Sequence, residues 1–193
     1  DRRILRERMH KLKKQLQGLQ NTQALNRKKR LGSHTPIVCL VGYTNAGKST
    51  LFNRLTNNDS LVMDQLFATL DPLSRKSWLI DRSVVFTDTV GFMRDLPESL
   101  ITAFRATLDE IVYADLLLHV VDCSDPEWAD KIRVVEETLS ILSCNHIPTL
   151  LVCNKADLVA QAAFLDGVQV SSISGEGIGE LSDSILHALP SRS

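Results

Sequence analysis

Residues 42–49 form the pattern Gly-x-x-x-x-Gly-Lys-Ser, which is typical of a loop that binds phosphate groups. The pattern follows an apolar run and opens a helical one, so backbone N–H groups and the positive end of a helix can face one anion. In such a loop the Lys48 ammonium reaches the outer phosphates and the Ser49 hydroxyl binds Mg²⁺. Nucleotide contacts are therefore predicted for Gly42, Tyr43, Thr44, Asn45, Ala46, Gly47, Lys48, Ser49 and Thr50.

Residues 154–157 read Asn-Lys-Ala-Asp and end a second apolar run, which indicates recognition of guanine. The Asp157 carboxylate can accept hydrogen bonds from guanine N1–H and the N2 amino group, a donor pair that adenine lacks. We expect Asn154 to bond the base or to tether the phosphate loop, and the Lys155 stem to pack on the base. After a last short strand, a backbone N–H can meet guanine O6. Base contacts are predicted for Asn154, Lys155, Ala156, Asp157, Ser171, Ser172 and Ile173.

Residues 88–91, Asp-Thr-Val-Gly, follow another apolar strand and predict the end of the site that faces the γ-phosphate. We expect Asp88 to hold Mg²⁺ through water and the Gly91 N–H to sense the γ-phosphate. Thr69, in the loop after the first helix, is predicted to close on both groups, although an ordinary loop threonine is the alternative. Nucleotide contacts are predicted for Asp88, Thr89, Val90 and Gly91, and magnesium ligands for Ser49, Thr69 and Asp88. Order–disorder transitions of the two loops are the expected switch.

Phe92 follows Gly91, where many small GTPases place a glutamine that orients the attacking water. Phenylalanine cannot orient water, so intrinsic hydrolysis should be slow. The amide oxygen of Asn45 could ligate K⁺ beside the β- and γ-phosphates, with stabilisation of the loop as the competing role. The residues expected to act in catalysis are Lys48, Thr69, Gly91 and Asn45.

The elements that position these residues alternate between strands and helices. Strands are predicted at residues 37–41, 76–80, 84–87, 116–121, 149–153 and 168–170, and helices at 48–57, 97–113, 127–142 and 179–189. The second and third strands are close enough to form a hairpin across residues 81–82. This order predicts an α/β P-loop NTPase G domain, with a mostly parallel sheet, one antiparallel edge strand and helices on both faces.

Composition separates a basic N-terminal segment from an acidic body. Residues 1–31 carry eleven Lys/Arg against two acidic residues, a net charge of +9, and the remainder carries −10. Apolar residues at 4-3-4-3 spacing predict a basic helical arm over 1–31, then a linker at 32–35 and a GTPase domain at 36–190. The arm either docks on a missing domain, of which it would be the remnant, or on a partner helix, or contacts RNA directly, and these roles can hold together. The arm suggests a polyanionic partner. The four cysteines lack metal-ligand spacing, and no apolar run approaches the about 20 residues of a membrane span.

Five segments together resemble the HflX family of ribosome-associated GTPases: residues 42–53, 66–72, 88–92, 103–108 and 114–122. The most specific is the family's switch loop, whose residues Phe67, Ala68, Thr69, Leu70 and Asp71 the resemblance adds to the nucleotide contacts. The resemblance covers about residues 1–190. It implies a factor that binds the large (50S) ribosomal subunit and its rRNA, splits stalled or idle ribosomes in some members, and hydrolyses ATP as well as GTP. The stretch between Asp157 and Val168 is shorter than the family pattern.

The leading hypothesis is a cytoplasmic, monomeric GTPase that uses Mg²⁺, with K⁺ as a candidate activator, and whose GTP or GDP state sets its affinity for the 50S subunit. A second is a nucleotide-gated scaffold with negligible hydrolysis that engages a protein through the N-terminal helix. A third, an ATP-dependent enzyme such as a kinase, is disfavoured by residues 154–157. His119 is expected to be a packed core histidine, and Trp78 and Trp128 to be packing residues rather than base-stacking platforms.

Overall fold

The computed structural model describes residues 35–57, 73–93, 111–159 and 166–190. Their strands are β1 Ile37–Val41, β2 Leu73–Leu79, β3 Arg82–Asp88, β4 Leu116–Asp122, β5 Thr149–Asn154 and β6 Val168–Gln169. The helices are α1 Lys48–Leu55, α2 Trp128–Ile141 and α3 Ile178–Ala188, with a 3-10 turn at Ala156–Leu158. The expected arm, linker residues 32–34, the switch loop with Thr69 and the helix over 97–110 lie outside the described residues.

The six strands form one sheet in the order β2-β3-β1-β4-β5-β6. The β2–β3 pair is antiparallel and at the edge, and the other four pairs are parallel. The predicted α/β architecture with one antiparallel edge strand is therefore confirmed. Parallel strands place their carboxyl ends at one edge of a sheet, and the motifs at residues 42–49, 88–91 and 154–157 lie at such ends.

Two apolar clusters pack on opposite faces of the sheet, because β1 and β4 are apolar at almost every position and need cover on both sides. On one face Phe52 of α1 and Leu181 of α3 pack against strand residues such as Leu118. On the other face Val135 and Leu139 of α2 pack against the alternate strand residues. Each such fully buried side chain stabilises the fold by about 1.5–3 kcal/mol, so the sheet is a rigid base for its loops.

Two details differ from the sequence predictions. The β2–β3 turn contains Ile80 and Asp81, one residue earlier than expected, and Trp78 is 68% exposed. The prediction that Trp78 is a packing residue is wrong, because Trp78 alternates with the buried residues Ser77 and Leu79 along β2 and its side chain stands on the other, exposed face of that strand. Within the described residues, no helix has the length and apolar character needed to cross a bilayer.

All four cysteines lie among the described residues, and each carries a thiol rather than a disulfide. Cys39, Cys144 and Cys153 are buried, and Cys123 is half-buried. Burial raises the pKa of the Cys144 thiol and raises that of Cys153 to about 11. The pKa of Cys123 is raised as well, first by burial and then by the charge of Asp122.

Candidate nucleotide-binding site

The phosphate loop joins β1 to α1, and both of its glycines are required by close approach. A Cβ on Gly42 would lie 2.3 Å from the carbonyl oxygen of Val120. Gly47 has a φ of 88°, in the left-handed region, and a Cβ there would lie 2.2 Å from Nδ2 of Asn154. Only glycine permits both the conformation and the contacts. The loop is thereby pressed against β4 and against the Asn-Lys-Ala-Asp segment.

Lys48 occupies the first turn of α1 and is buried, with Nζ donating to the Tyr43 carbonyl oxygen at 3.0 Å. Burial lowers its pKa to about 8, although the nearby charge of Asp88 opposes this shift. A buried ammonium with so little compensating charge attracts an anion. Its position inside the loop therefore suits phosphate oxygens.

Ser49 at the start of α1 and Asp88 at the end of β3 place two side-chain oxygens next to each other. The Ser49 hydroxyl donates to Oδ2 of Asp88 at 2.6 Å. The next residue, Thr89, is fixed because its buried hydroxyl donates to the Leu40 carbonyl at 2.6 Å. One hydroxyl and one carboxylate beside a phosphate loop are a donor set of the hard oxygen type that Mg²⁺ prefers. These residues could hold the ion that the fold implies.

Gly91 and Phe92 are joined to the phosphate loop by backbone hydrogen bonds. The Phe92 N–H donates to the Gly42 carbonyl at 3.0 Å, and the Thr44 N–H donates to the Phe92 carbonyl at 2.8 Å. A Cβ on Gly91 would lie 3.0 Å from Nζ of Lys48, so this residue borders the same anion site. The Phe92 side chain is only 1% exposed and packs in the second apolar cluster, where it cannot orient water.

Asn154, at the end of β5, connects the phosphate loop to the segment after β6. Its Nδ2 donates to the Ala46 carbonyl at 2.9 Å. Its Oδ1 accepts hydrogen bonds from the Ser172 backbone N–H at 3.1 Å and from the Ser172 hydroxyl at 2.6 Å. Of the two roles left open for Asn154, the structure has the one in which it tethers the phosphate loop. The side chain is buried, so these bonds are shielded from water.

Lys155 and Asp157 follow Asn154 at the same edge of the sheet. Lys155 has a φ of 62°, and its ammonium pairs with Oδ2 of Asp122 at 2.6 Å. This pair holds the lysine stem over the ends of β4 and β5, where a base could lie against it. Asp157 is exposed in the 3-10 turn, and the Ala156 N–H donates to the Val170 carbonyl at 3.1 Å. The carboxylate is therefore accessible on an anchored turn.

The segment at Ser171, Ser172 and Ile173 is fixed to α1 by a residue that sequence reasoning missed. Arg54 donates through Nε to the Ser172 carbonyl at 3.1 Å and through Nη2 to the Ile173 carbonyl. Asp122, the partner of Lys155, was also missed. A charged residue directly after the apolar run of β4 was the available signal for Asp122. Arg54 gave no local signal, because its partners are over a hundred residues away in the chain.

A cavity lies between the phosphate loop, the end of β4 and the start of α2, and is lined by Tyr43, Thr44, Asn45, Ala46, His119, Val120, Val121, Asp122, Asp125 and Lys131. His119 is 3% exposed, as expected of a core histidine, although it also borders this cavity. Its pKa falls to about 4, first because of burial and then because of the charge of Lys48. The Lys131 ammonium pairs with Asp125 and lies 5.2 Å from the centre of the Tyr43 ring.

The described members of the predicted site thus meet at the carboxyl ends of the parallel strands. Residues 42–50 follow β1, 88–91 end and follow β3, 154–157 end and follow β5, and 171–173 follow β6. The hydrogen bonds of Asn154 and the backbone pairing of Phe92 join these segments directly. Phe67, Ala68, Thr69, Leu70 and Asp71 lie outside the described residues. The roles assigned to the individual residues stay predictions.

Comparison with known proteins agrees with this arrangement. A family model described as 50S ribosome-binding GTPase matches residues 37–155. The GTPase HflX of Magnetococcus marinus is 48% identical over 98% of this chain and 46% of that protein. The GTPase HflX of Escherichia coli is 46% identical over 82% of this chain and 38% of that protein. The chain therefore spans half or less of the length of these relatives.

Solved structures give the same fold. A GTP-binding protein from Sulfolobus solfataricus in complex with GDP is 26% identical, with a TM-score of 0.64 over 88% of this chain and 57% of that one. Era in complex with MgGDPNP and a segment of 16S ribosomal RNA is 22% identical, with a TM-score of 0.66 over 83% of this chain and 59% of that one. Fold and site together define a P-loop GTPase domain. Within that class, the chain belongs to the HflX GTPases.

Proposed function

We propose that this chain is a nucleotide switch that binds GTP and GDP with Mg²⁺, hydrolyses GTP slowly and associates with the large ribosomal subunit. The observation that carries the proposal is the Asn154 amide, which hydrogen-bonds both the phosphate loop and Ser172. A nucleotide whose phosphates lie in the loop would therefore have its base beside residues 154–157 and 171–173. The names of the relatives support the GTPase activity, and the description of the family model supports the ribosomal partner.

The phosphates would be bound by backbone N–H groups of residues 42–49 and by the Lys48 ammonium. Bound phosphate would supply the negative charge that this buried lysine lacks, which would restore its pKa toward the ordinary value. Ser49 and Asp88 are the residues that would hold Mg²⁺, whose charge would offset that of the β- and γ-phosphate oxygens. The Gly91 N–H would register whether a γ-phosphate is present.

Guanine selectivity is assigned to the exposed Asp157 carboxylate and can be tested by changing its hydrogen-bonding character. Asp157→Asn should weaken GTP binding and favour xanthosine triphosphate, because an amide can donate to the extra carbonyl of xanthine. A matched control is Asp183→Asn on α3, also exposed, which should leave both affinities unchanged. Fluorescent GDP and XDP analogues measure the two affinities. Unchanged GTP affinity in the Asp157 variant would refute the assignment, and turnover of ATP beside GTP would report the broader selectivity.

Slow hydrolysis follows from the buried Phe92, and a second candidate function rests on the same residue. Without a water-orienting side chain there, the chain could act as a nucleotide-gated scaffold with negligible turnover. Phosphate release with and without 50S subunits separates the two, because ribosomes would not accelerate a scaffold. For the enzyme, K⁺ beside Asn45 is the proposed substitute for the missing glutamine, and Thr69 is proposed to close on Mg²⁺ and the γ-phosphate. Equal turnover in KCl and NaCl would exclude the cation.

Association with the 50S subunit is supported by the charge of residues 1–31 as well as by the family description. Contacts between basic residues and rRNA phosphates release counterions, so binding should weaken steeply with salt. Co-sedimentation with 30S, 50S and 70S particles, each with a GTP analogue or GDP, tests the partner. Binding that ignores both salt and nucleotide would contradict the proposal. Light scattering of 70S ribosomes tests the finer proposal, the splitting of stalled or idle ribosomes.

A further inference from the structure

The β2–β3 hairpin carries two large exposed apolar side chains close together in the sequence, one of them a tryptophan. Trp78 is 68% exposed and Ile80 is 73% exposed, at positions two residues apart beside the turn. A single exposed apolar residue is ordinary on a protein surface, but a tryptophan and an isoleucine two residues apart expose much apolar surface at one end of the hairpin. Among the described residues, neither side chain belongs to the two apolar clusters of the core.

The backbone conformation of the turn is unfavourable for the residue that occupies it. Ile80 has a φ of 50°, in the left-handed region, where β-branched residues are rarely found. Asn or Gly would fit the position with less strain, and either would also remove apolar surface from solvent. Strain of this kind is typical of sites with a role beyond folding.

The backbone at Trp78 is nevertheless held in place by its buried neighbours. The neighbouring residues Ser77 and Leu79 are buried, and the Ser77 hydroxyl donates to the Leu55 carbonyl at the end of α1, at 2.9 Å. Because side chains alternate along a strand, Trp78 and Lys76 lie on the face of β2 opposite Ser77 and Leu79, with their Cα atoms about 7 Å apart. An aromatic ring and an ammonium are thus presented side by side by a backbone that α1 fixes.

Charge distinguishes the hairpin from the rest of the described body. The described residues contain eight Lys/Arg and fourteen Asp/Glu. Three of those eight lie within residues 73–83, as Arg75, Lys76 and Arg82, against one of the fourteen, Asp81. A basic segment with an exposed aromatic on an acidic body favours a polyanion, and protein interfaces are depleted in lysine. Of these three basic residues, Lys76 shares the exposed face of β2 with Trp78, whereas Arg75 and Arg82 lie on the face of Leu79, which packs on α1. An exposed aromatic beside a lysine is an arrangement that binds unpaired nucleotides.

We propose that Trp78 is a stacking platform for an unpaired base of ribosomal RNA and that Lys76 contacts a backbone phosphate beside it. This inference rests on the proposed association with the 50S subunit and names a surface for it. Stacking on Trp78 needs no particular base, because every base offers a π face. The RNA would approach the face of β2 that carries Trp78 and Lys76, on the outermost strand of the described sheet.

The first test uses tryptophan fluorescence as a direct report on stacking. The chain has two tryptophans, so Trp128→Phe leaves Trp78 as the sole reporter and Trp78→Phe leaves Trp128 as the matched control. Titration with a single-stranded oligouridylate, and then with protein-free 23S rRNA, should quench Trp78 and leave Trp128 unchanged. Equal or absent quenching in the two variants would overturn the proposal.

The second test measures 50S binding of the full chain by co-sedimentation with a GTP analogue. Trp78→Ala should weaken binding about tenfold, and Trp78→Phe, which can still stack, should lose less than about threefold. Lys76→Ala should reduce the slope of log affinity against log salt by about one. The control Ile141→Ala removes another apolar side chain, 83% exposed and distant in the sequence, and should change nothing. GDP binding by each variant verifies that it is folded.

The outcomes separate the alternatives. If Trp78→Ala binds 50S subunits as tightly as Ile141→Ala does, the platform is refuted. If Trp78→Ala weakens 50S binding but no RNA quenches Trp78, the hairpin contacts a ribosomal protein and the RNA proposal is overturned. If the unaltered chain binds no ribosomal particle while RNA still quenches Trp78 selectively, the ribosomal function fails and the RNA platform stands.

Discussion

Replacing Asn154 by alanine tests the connection on which the nucleotide site depends. The variant loses three hydrogen bonds, one to Ala46 and two from Ser172. At about 1 kcal/mol each, the expected loss of unfolding free energy is about 3 kcal/mol. Ala46 and Ser172 are themselves buried, so their polar groups would lack partners and the loss should lie at or above this figure. For a chain of this size, a loss of about 3 kcal/mol lowers Tm by about 6–12 °C.

Urea unfolding of the nucleotide-free protein, followed by circular dichroism, measures the free energy. Binding of a fluorescent GDP analogue measures the connection itself and should weaken at least about tenfold, equivalent to about 1.4 kcal/mol. Asn145→Ala is the matched control, because the Asn145 amide makes only a solvent-exposed hydrogen bond to the Ser140 hydroxyl. Its loss should change the free energy of unfolding by less than about 0.5 kcal/mol. The reasoning fails if both variants unfold at the same urea concentration, or if Asn154→Ala is destabilised yet binds GDP normally.

Two further predictions concern residues beside Lys48. In Gly91→Ala the new methyl group would lie 2.9 Å from the Thr44 backbone, so GTP turnover should fall at least about tenfold. The control is Gly179→Ala, whose methyl group would meet nothing within 4 Å and should leave turnover unchanged. The pKa of His119 is about 4 in the folded chain against 6.5 unfolded, so its stabilising contribution is complete above pH 6.5 and is lost as the pH falls toward 4. Between pH 7.5 and pH 5 the free energy of unfolding, measured in urea, should fall by about 2 kcal/mol because of this residue. His119→Leu cannot take up a proton and should lack this decrease. Identical pH dependence of the two proteins would contradict the assignment.

The parts of the fold that sequence alone predicts are those determined by local composition. The five residues of β1 are all buried, and an unbroken apolar run before the Gly-Lys-Ser motif leaves few alternatives to a central parallel strand. The antiparallel edge was also predicted, because the strands expected at residues 76–80 and 84–87 are close enough in the chain to form a hairpin. The phosphate loop could also be predicted from local sequence, because its backbone conformation and close contacts require glycine at fixed positions.

What could not be predicted depends on residues far apart in the chain. Asn154 had two possible roles, and only the folded backbone brings the Ala46 carbonyl to its amide. The turn was placed one residue late because isoleucine is a poor turn residue, so Ile80 was assigned to the strand. Trp78 was expected to pack, since aromatic residues usually do, but exposure of a strand residue depends on which face of the strand other parts of the chain cover.

The state of the four thiols has a practical consequence for measurements on this protein. Thiolates react with maleimides and thiols scarcely do, and raised pKa values keep Cys123, Cys144 and Cys153 protonated at neutral pH. Cys39 is shielded differently, because none of its surface reaches solvent. A cysteine introduced at an exposed site, such as Asp81 in the hairpin turn, should therefore accept a fluorescent label well before the native ones do. Distances to a ribosomal particle could then be followed without first removing any native cysteine.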